Sequence, residues 1–359
     1  MPLVTLQLAE NNISVAQAVE LVGALRAGAP HLKELDLSGN PVCGVEEGGK
    51  DEFSTELVEA LCAWLQEQGQ AQEQGQGQPQ GQGPRRAEGP GLTSLSLVDV
   101  ALCGQARDGN GSYQSQAIGL LVELLGSGHG PLRSLTITGC RVQEDEALDL
   151  GKALSKNHTL ERLLADRTPL AVQQLLCGER LNLNGLEFSE VDASLMAQLL
   201  VHNTTLTCAD LGGAKQLTRE IKILSDAFSR CRFQLRELNV AGRLLGLEGA
   251  ASLLDALKEC PLQVLDLTGN EICGVRSTGT EPFNAYVVRM VCGLIRREGG
   301  GLRRLRLKGN HLIGNDTYTN EAVLLLAEAL RSPHCVLEEL HLGLANKVRA
   351  RARARVRGR

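Results

Sequence analysis

Residues 31–40 read HLKELDLSGN, residues 261–270 PLQVLDLTGN and residues 301–310 GLRRLRLKGN. Leu32, Leu35, Leu37 and Asn40 thus recur as Leu262, Leu265, Leu267 and Asn270 and as Leu302, Leu305, Leu307 and Asn310, and a fourth copy opens the chain at Leu3, Leu6, Leu8 and Asn11. Leucines on alternate positions mark a short strand with one buried face. Four copies of L-x-x-L-x-L-x-x-N exclude coincidence.

Looser copies start at Leu92, Leu132, Leu160, Gly178, Leu206, Leu235 and Leu337, with Cys140 in the Asn place of the Leu132 copy. Starts lie 27 to 29 residues apart where nothing is inserted, but only 18 apart between Leu160 and Gly178. A fixed period of this size means a solenoid. After the strand most repeats carry apolar residues at helical spacing: Ala18, Leu21, Val22, Leu25; Ala147, Leu150, Gly151, Leu154; Ala250, Leu253, Leu254, Leu257. Strands stack about 4.8 Å apart and helices about 8–10 Å apart, so such an array bends with its sheet inside. The expectation is a right-handed α/β solenoid, a horseshoe with a parallel concave sheet and convex helices. It runs as a single array of about eleven repeats over residues 1–346. Repeat register between 160 and 235 stays open, and a helix is expected to be missing there. Asn11, Asn40, Asn270 and Asn310 are assigned to structure, their amides bonding backbone groups of adjacent turns.

Composition agrees with this reading. Of 359 residues 43% are hydrophobic but only 3% aromatic, so burial falls on Leu, Val, Ile and Ala. Net charge is −5 although the ending KVRARARARVRGR (347–359) is basic throughout, so the body is acidic and a poor match for nucleic acid. The Arg-rich tail alone keeps a nucleic-acid reading open. The first residues lack a charged segment followed by an apolar run, and no stretch is long and apolar enough to span a bilayer, which points to a soluble, cytoplasmic protein, expected to be monomeric. Eleven cysteines, an odd number without a CxxC, make neither a disulfide framework nor a zinc ribbon. Cys43, Cys103 and Cys273 share one repeat context, and Cys62 and Cys292 another, as small buried hydrophobes do. The sequons at Asn110, Asn203 and Asn315 are read as chance.

The strand–helix repeat of 28 or 29 residues resembles the ribonuclease-inhibitor-like class of leucine-rich repeats over nearly the whole chain. The resemblance implies a non-enzymatic scaffold that binds proteins through the concave face and adjoining loops. The class includes ribonuclease inhibitor, Ran GTPase-activating protein, tropomodulin-type actin regulators and the sensor halves of NOD-like receptors. Three readings therefore stand: an interaction scaffold, a GTPase-activating or other GTPase-regulatory protein, and the sensor fragment of a NOD-like receptor-type protein. One fold serves many functions, so function must come from the site.

Four repeats depart from the pattern by long, similar strand-to-helix loops after Gly44, Gly104, Gly274 and Gly314, expected to project from one rim. Residues 66–91, rich in Gln and Gly, are expected to be a disordered insertion. No polar cap closes either end, so the expectation is a chain that is part of a longer protein, or a basic C-terminus that is an artefact of gene assignment.

Catalytic chemistry finds no footing. Gly44 to Lys50 fits G-x-x-x-x-G-K, but Asp51 stands where magnesium needs Ser or Thr, and Glu46 and Glu47 would repel phosphate. The seven histidines lack metal spacing. No catalytic residue, metal or cofactor is expected. What remains is the residue between the second and third leucines of each repeat, which faces away from the core. That row holds Gln7, Asp36, Ser96, Thr136, Leu164, Asn182, Asp210, Asn239, Asp266, Arg306 and His341, flanked by Lys33, Glu34, Arg133, Arg162, Arg236, Arg303 and Arg304. All but Gln7 and Leu164 are candidates to contact a protein partner.

Overall fold

A computed structural model describes residues 2–45, 52–75, 91–106, 108–128, 130–231, 234–274, 282–313 and 320–343. They form two compact bodies, one of Met1–Leu176 with Phe188–Leu199 and one of Cys177–Glu187 with Leu200–Arg359.

In the first body, β1 (Thr5–Gln7), β2 (Glu34–Asp36), β3 (Ser94–Ser96), β4 (Ser134–Thr136), β5 (Arg162–Leu164) and β6 (Pro169–Ala171) make one sheet in chain order. Between them run α1 (Val15–Gly28), α2 (Glu56–Gly75), α3 (Gln116–Gly126) and α4 (Glu144–Leu154), each packed on the next. Then come α5 (Val172–Cys177) and α6 (Glu190–Leu200). The second body has β7 (Arg180–Asn182), β8 (Cys208–Asp210), β9 (Glu237–Asn239), β10 (Val264–Asp266), β11 (Arg304–Arg306) and β12 (Glu339–His341) in a second ordered sheet. Its helices α7 (Arg219–Arg230), α8 (Gly246–Ala256), α9 (Tyr286–Arg296) and α10 (Glu321–Leu330) stack in sequence. Each body is an α/β solenoid segment.

Strands of three residues hold because every repeat places its leucines in the same register. Leu35, Leu95, Leu135 and Leu163 pair across the first sheet, Leu181, Ala209, Leu238, Leu265 and Leu305 across the second, and all are buried. Each fully buried leucine contributes about 1.5–3 kcal/mol, which a strand this short could not supply from its ladder alone. Helix starts are fixed locally: the Gln17 side chain accepts the Ser14 N–H at 3.0 Å and Glu146 that of Gln143 at 3.1 Å, closing two capping boxes. Cys43, Cys103, Cys140 and Cys273 are fully buried, and desolvation pushes the thiols of Cys43, Cys103 and Cys273 up to about 12.

Three expectations need correction. The sheet is not parallel throughout, because β6 returns antiparallel to β5, with Leu163 opposite Leu170. Eighteen residues cannot hold a full strand–helix repeat, so the chain doubles back and fits only the six-residue α5 before β7; the helix there is shortened, not missing. The Gln-rich segment is helical as far as Gly75, since Gln, Glu and Ala prolong a helix readily once Trp64 and Leu65 are buried. Gln68 in this extension accepts the Leu92 N–H at 2.9 Å, tying it to the next repeat. The remainder of the insertion (76–90), most of the long-loop tips and the tail (344–359) lie outside the described residues. No described helix is long and apolar enough to cross a membrane.

Candidate protein-binding face

Strand register decides which outward residues stand together. Gln7, Asp36, Ser96, Thr136 and Leu164 are successive Cα partners in the first sheet. Asn182, Asp210, Asn239, Asp266, Arg306 and His341 are so in the second. Each sheet thus carries one straight row, and the predicted row exists as two.

The row side chains are less free than their outward direction implies. Asp36, Asn182, Asp210, Asn239 and Asp266 each accept, through Oδ1, the N–H two residues on, at 3.0, 3.1, 3.0, 2.9 and 2.9 Å. These are Asx turns that close the exit of the strand. Asp210 also accepts from Asn239 Nδ2 at 2.9 Å and from Asn184 Nδ2 at 3.0 Å. Arg306 reaches Asp266 at 3.2 Å and lies over it, so Asp266 is only 9% exposed and is not the open contact residue expected. Ser96 shares a hydrogen bond with Ser38 at 2.9 Å. Asn182 and His341 are exposed, and Ser96, Thr136, Asp36, Asp210, Asn239 and Arg306 half-buried.

Beneath this face runs a line of buried donors. Asn40 gives its amide to the Leu8 carbonyl at 2.8 Å and accepts the Asn11 N–H at 2.9 Å and the Ile13 N–H at 3.0 Å. Asn270 donates to Val240 at 2.9 Å and Asn310 to Leu267 at 2.7 Å, and Asn310 accepts the Asn270 N–H at 2.9 Å. Each reaches one repeat back and satisfies groups that strand pairing leaves over. Cys140 makes the same reach, its thiol 3.0 Å from the Leu97 carbonyl. Asn11, in the first repeat, is exposed, and its side-chain amide donates to the nearby Ala9 carbonyl at 2.8 Å.

The second body lacks Asn in this place at Leu186 and Ala214, and Arg243 compensates. This fully buried arginine bonds the Leu211 carbonyl one repeat back through Nε, and the Leu183 and Leu186 carbonyls two back at 3.3 and 3.0 Å. Burial lowers its pKa while Asp210 and Glu187 pull the other way. Gly213 makes the room: a Cβ there would stand 2.7 Å from the guanidinium carbon. Sequence reasoning missed this residue, although its place eight positions after Leu235 was the available signal.

Two further asparagines were missed. Asn157 donates to the Leu125 carbonyl at 2.9 Å and Asn203 to Gly178 at 3.1 Å, while their Oδ1 atoms accept the N–H of Leu160 at 2.7 Å and of Leu206 at 2.9 Å. Asn203, dismissed as part of a chance sequon, is fully buried and shapes the entry to its repeat. Asp192 does related work where the repeat is short: one oxygen accepts the N–H groups of Arg167, Thr168 and Ser189 at 3.2, 3.2 and 3.1 Å.

Three of the long loops share one neck, and the fourth, after Gly314, lies outside the described residues. The carbonyls of Cys43, Cys103 and Cys273 accept the N–H of Ser54, Gln114 and Asn284, each at 2.9 Å. Gly44, Gly104 and Gly274, all left-handed, follow those cysteines. A Cβ on Gly104 would lie 2.3 Å from the Ser112 carbonyl, so only glycine closes this neck. In the first body two neighbouring loops join through Val45, Ala101 and Ala106, with Phe53 packed against them. Among the described residues no His, Cys, Asp and Glu group is arranged to hold a metal ion.

No protein-family model matches the chain. It is 31% identical over 170 residues to human "NACHT, LRR and PYD domains-containing protein 5", covering 45% of this chain and 12% of that protein. It is 26% identical over 257 residues to human "NACHT, LRR and PYD domains-containing protein 14", covering 62% and 22%. The chain therefore spans less than a quarter of either relative. A crystal structure of the leucine-rich repeat-containing protein LegL7 from Legionella pneumophila aligns over 94% of this chain and 82% of its own, at 17% identity and a TM-score of 0.32. Alternating strands and helices in register, with the repeat pattern and the similarity to the two human proteins, make this a leucine-rich-repeat fold.

Proposed function

We propose that the chain is a non-enzymatic, cytoplasmic protein-binding scaffold of the ribonuclease-inhibitor-like class, in which residues 1–346 work as one interaction module and the partner is a protein read on the sheet faces. The observation that carries the reading is the pair of rows, in register and largely polar, five of whose side chains are held by Asx turns. Side chains fixed before binding lose little conformational entropy on contact, which favours recognition. Asp36, Ser96, Thr136, Asn182, Asp210, Asn239, Arg306 and His341 would contact the partner, with Asp266 acting through Arg306. Affinity purification of the full chain, repeated with Ser96→Arg and Thr136→Arg, tests it. Neither residue makes an Asx turn, so the folded chain should persist while a specific partner is lost. If every partner survives both substitutions and their counterparts at Asn182 and His341, the sheet faces are not the site.

The relatives favour a second reading, that this is the repeat segment of a longer NACHT-bearing protein, because the similarity covers only a small part of each. Long-read transcript sequencing across both ends separates the two: an in-frame NACHT-encoding exon supports the segment, and in-frame stops on both sides remove it. The GTPase-regulatory reading draws on the resemblance alone.

A further inference from the structure

The outward positions of the second sheet differ in one strand. Around β10 they are Gln263, Val264, Asp266 and Thr268, and around β12 Glu338, Glu339, His341 and Gly343. Around β11 all four are basic: Arg303, Arg304, Arg306 and Lys308. Two of these cations are spoken for, Arg303 by Glu338 and Arg306 by Asp266. Arg304 and Lys308 are exposed and have no carboxylate partner among the described residues. At Arg304 a depression of about 230 Å³ is lined by Gln263, Val264, Arg303, Arg304, Glu338 and Glu339.

We propose that this strip docks an acidic segment of a partner protein, extended along β11; the proposal rests on the scaffold reading above and names the chemistry of its partner. Outward side chains two residues apart on a strand are separated by roughly 6.6 Å, the same interval as alternate side chains of an extended peptide. Carboxylates four residues apart in such a peptide can therefore meet Arg304 and Lys308 together, with the residue between them passing over Arg306. Arginine suits such contacts because its planar fork donates bidentately to a carboxylate. The strip is one strand wide, with Asp266 on one side and Glu338 and Glu339 on the other, about one strand spacing of 4.8 Å away. A nucleic-acid backbone, charged continuously and wider than the strip, would run against those carboxylates. A peptide can set its charges over the cations and neutral residues over the flanks.

The test is fluorescence anisotropy of the full chain with a labelled peptide alternating Glu and Ser, beside an alternating Gln and Ser control and a single-stranded oligonucleotide. The acidic peptide should bind more tightly than the control and weaken as salt shortens the range of attraction. Arg304→Glu with Lys308→Glu should reduce its affinity on the order of tenfold, and Arg304→Gln with Lys308→Gln by less. Arg296→Glu, on α9 away from the strip, should leave it unchanged, and all variants should keep the thermal midpoint of the parent. Equal binding by parent and both double variants at unchanged midpoint overturns the proposal, as does an oligonucleotide that binds as well as the acidic peptide. A native partner whose capture depends on Ser96 or Thr136 but not on Arg304 would keep the scaffold reading and remove this one.

Discussion

At Arg243 a long cation performs for two turns what Asn40, Asn270 and Asn310 each perform for one. Removing it strips donors from the carbonyls of Leu211, Leu183 and Leu186 and opens a hole under the turn. Arg243→Ala should therefore destabilise the second body by about 3–5 kcal/mol in denaturant titration, with Arg243→Asn recovering only the share due to Leu211. Gly213→Ala, which drives a Cβ into the guanidinium, should cost about 1–3 kcal/mol although the glycine has no side chain to lose. Asp192 gives a pH signature. Burial raises its pKa above the ordinary 3.8, so the folded chain holds this proton to higher pH than the unfolded chain does. Its contribution to stability is present at acid pH and lost as pH rises through the folded value. Asp192→Asn keeps an oxygen for the three N–H groups and does not ionise, so unfolding followed from pH 3.8 upward should decline less steeply than in the parent. A parallel decline in both proteins would show that Asp192 ionises freely.

The elements divide into those written in local pattern and those set by neighbours. Strand positions were legible because alternation and register are one statement: Leu35 can be buried only if Asp36 faces out. Helices α1, α4 and α8 were legible from apolar spacing. The antiparallel turn of β6 was not, because what forces it is an 18-residue gap between repeat starts, and a gap states that something is wrong without stating how the chain resolves it. The helical extension to Gly75 is hidden in the sequence because low apolar content also marks disorder, while Gln and Glu support a helix that is already nucleated. The loop necks were visible as a repeated Cys-Gly but not as a hydrogen bond closing eleven residues later. Gly104→Ala should break that closure: amide exchange at Gln114 should accelerate at least tenfold while amides of β3 and β4 keep their protection. Loss of protection across the whole first body would mean that the neck supports the fold instead of the loop.

For the whole molecule, sequence told which residues would face out, yet told little about which were free to bind. Asp266 and the other four turn-forming residues look like solvent-facing polar positions in a linear pattern, and only the fold reveals that their oxygens are occupied. The partner stays a proposal for the same reason, since one fold displays many surfaces. The two sheets imply separate cooperative behaviour, as repeats pass stability only to neighbours. Urea unfolding should show two transitions, and Arg243→Ala should move one midpoint and leave the other in place. A single transition that moves as a whole would join the bodies thermodynamically. Arg243 also limits how this chain can be rearranged by recombination. A repeat whose asparagine reaches one turn back needs only a compatible predecessor and can be duplicated or moved as a cassette. The repeat holding Arg243 depends on carbonyls two turns behind and on the gap at Gly213, so those three repeats can be inherited only as one block.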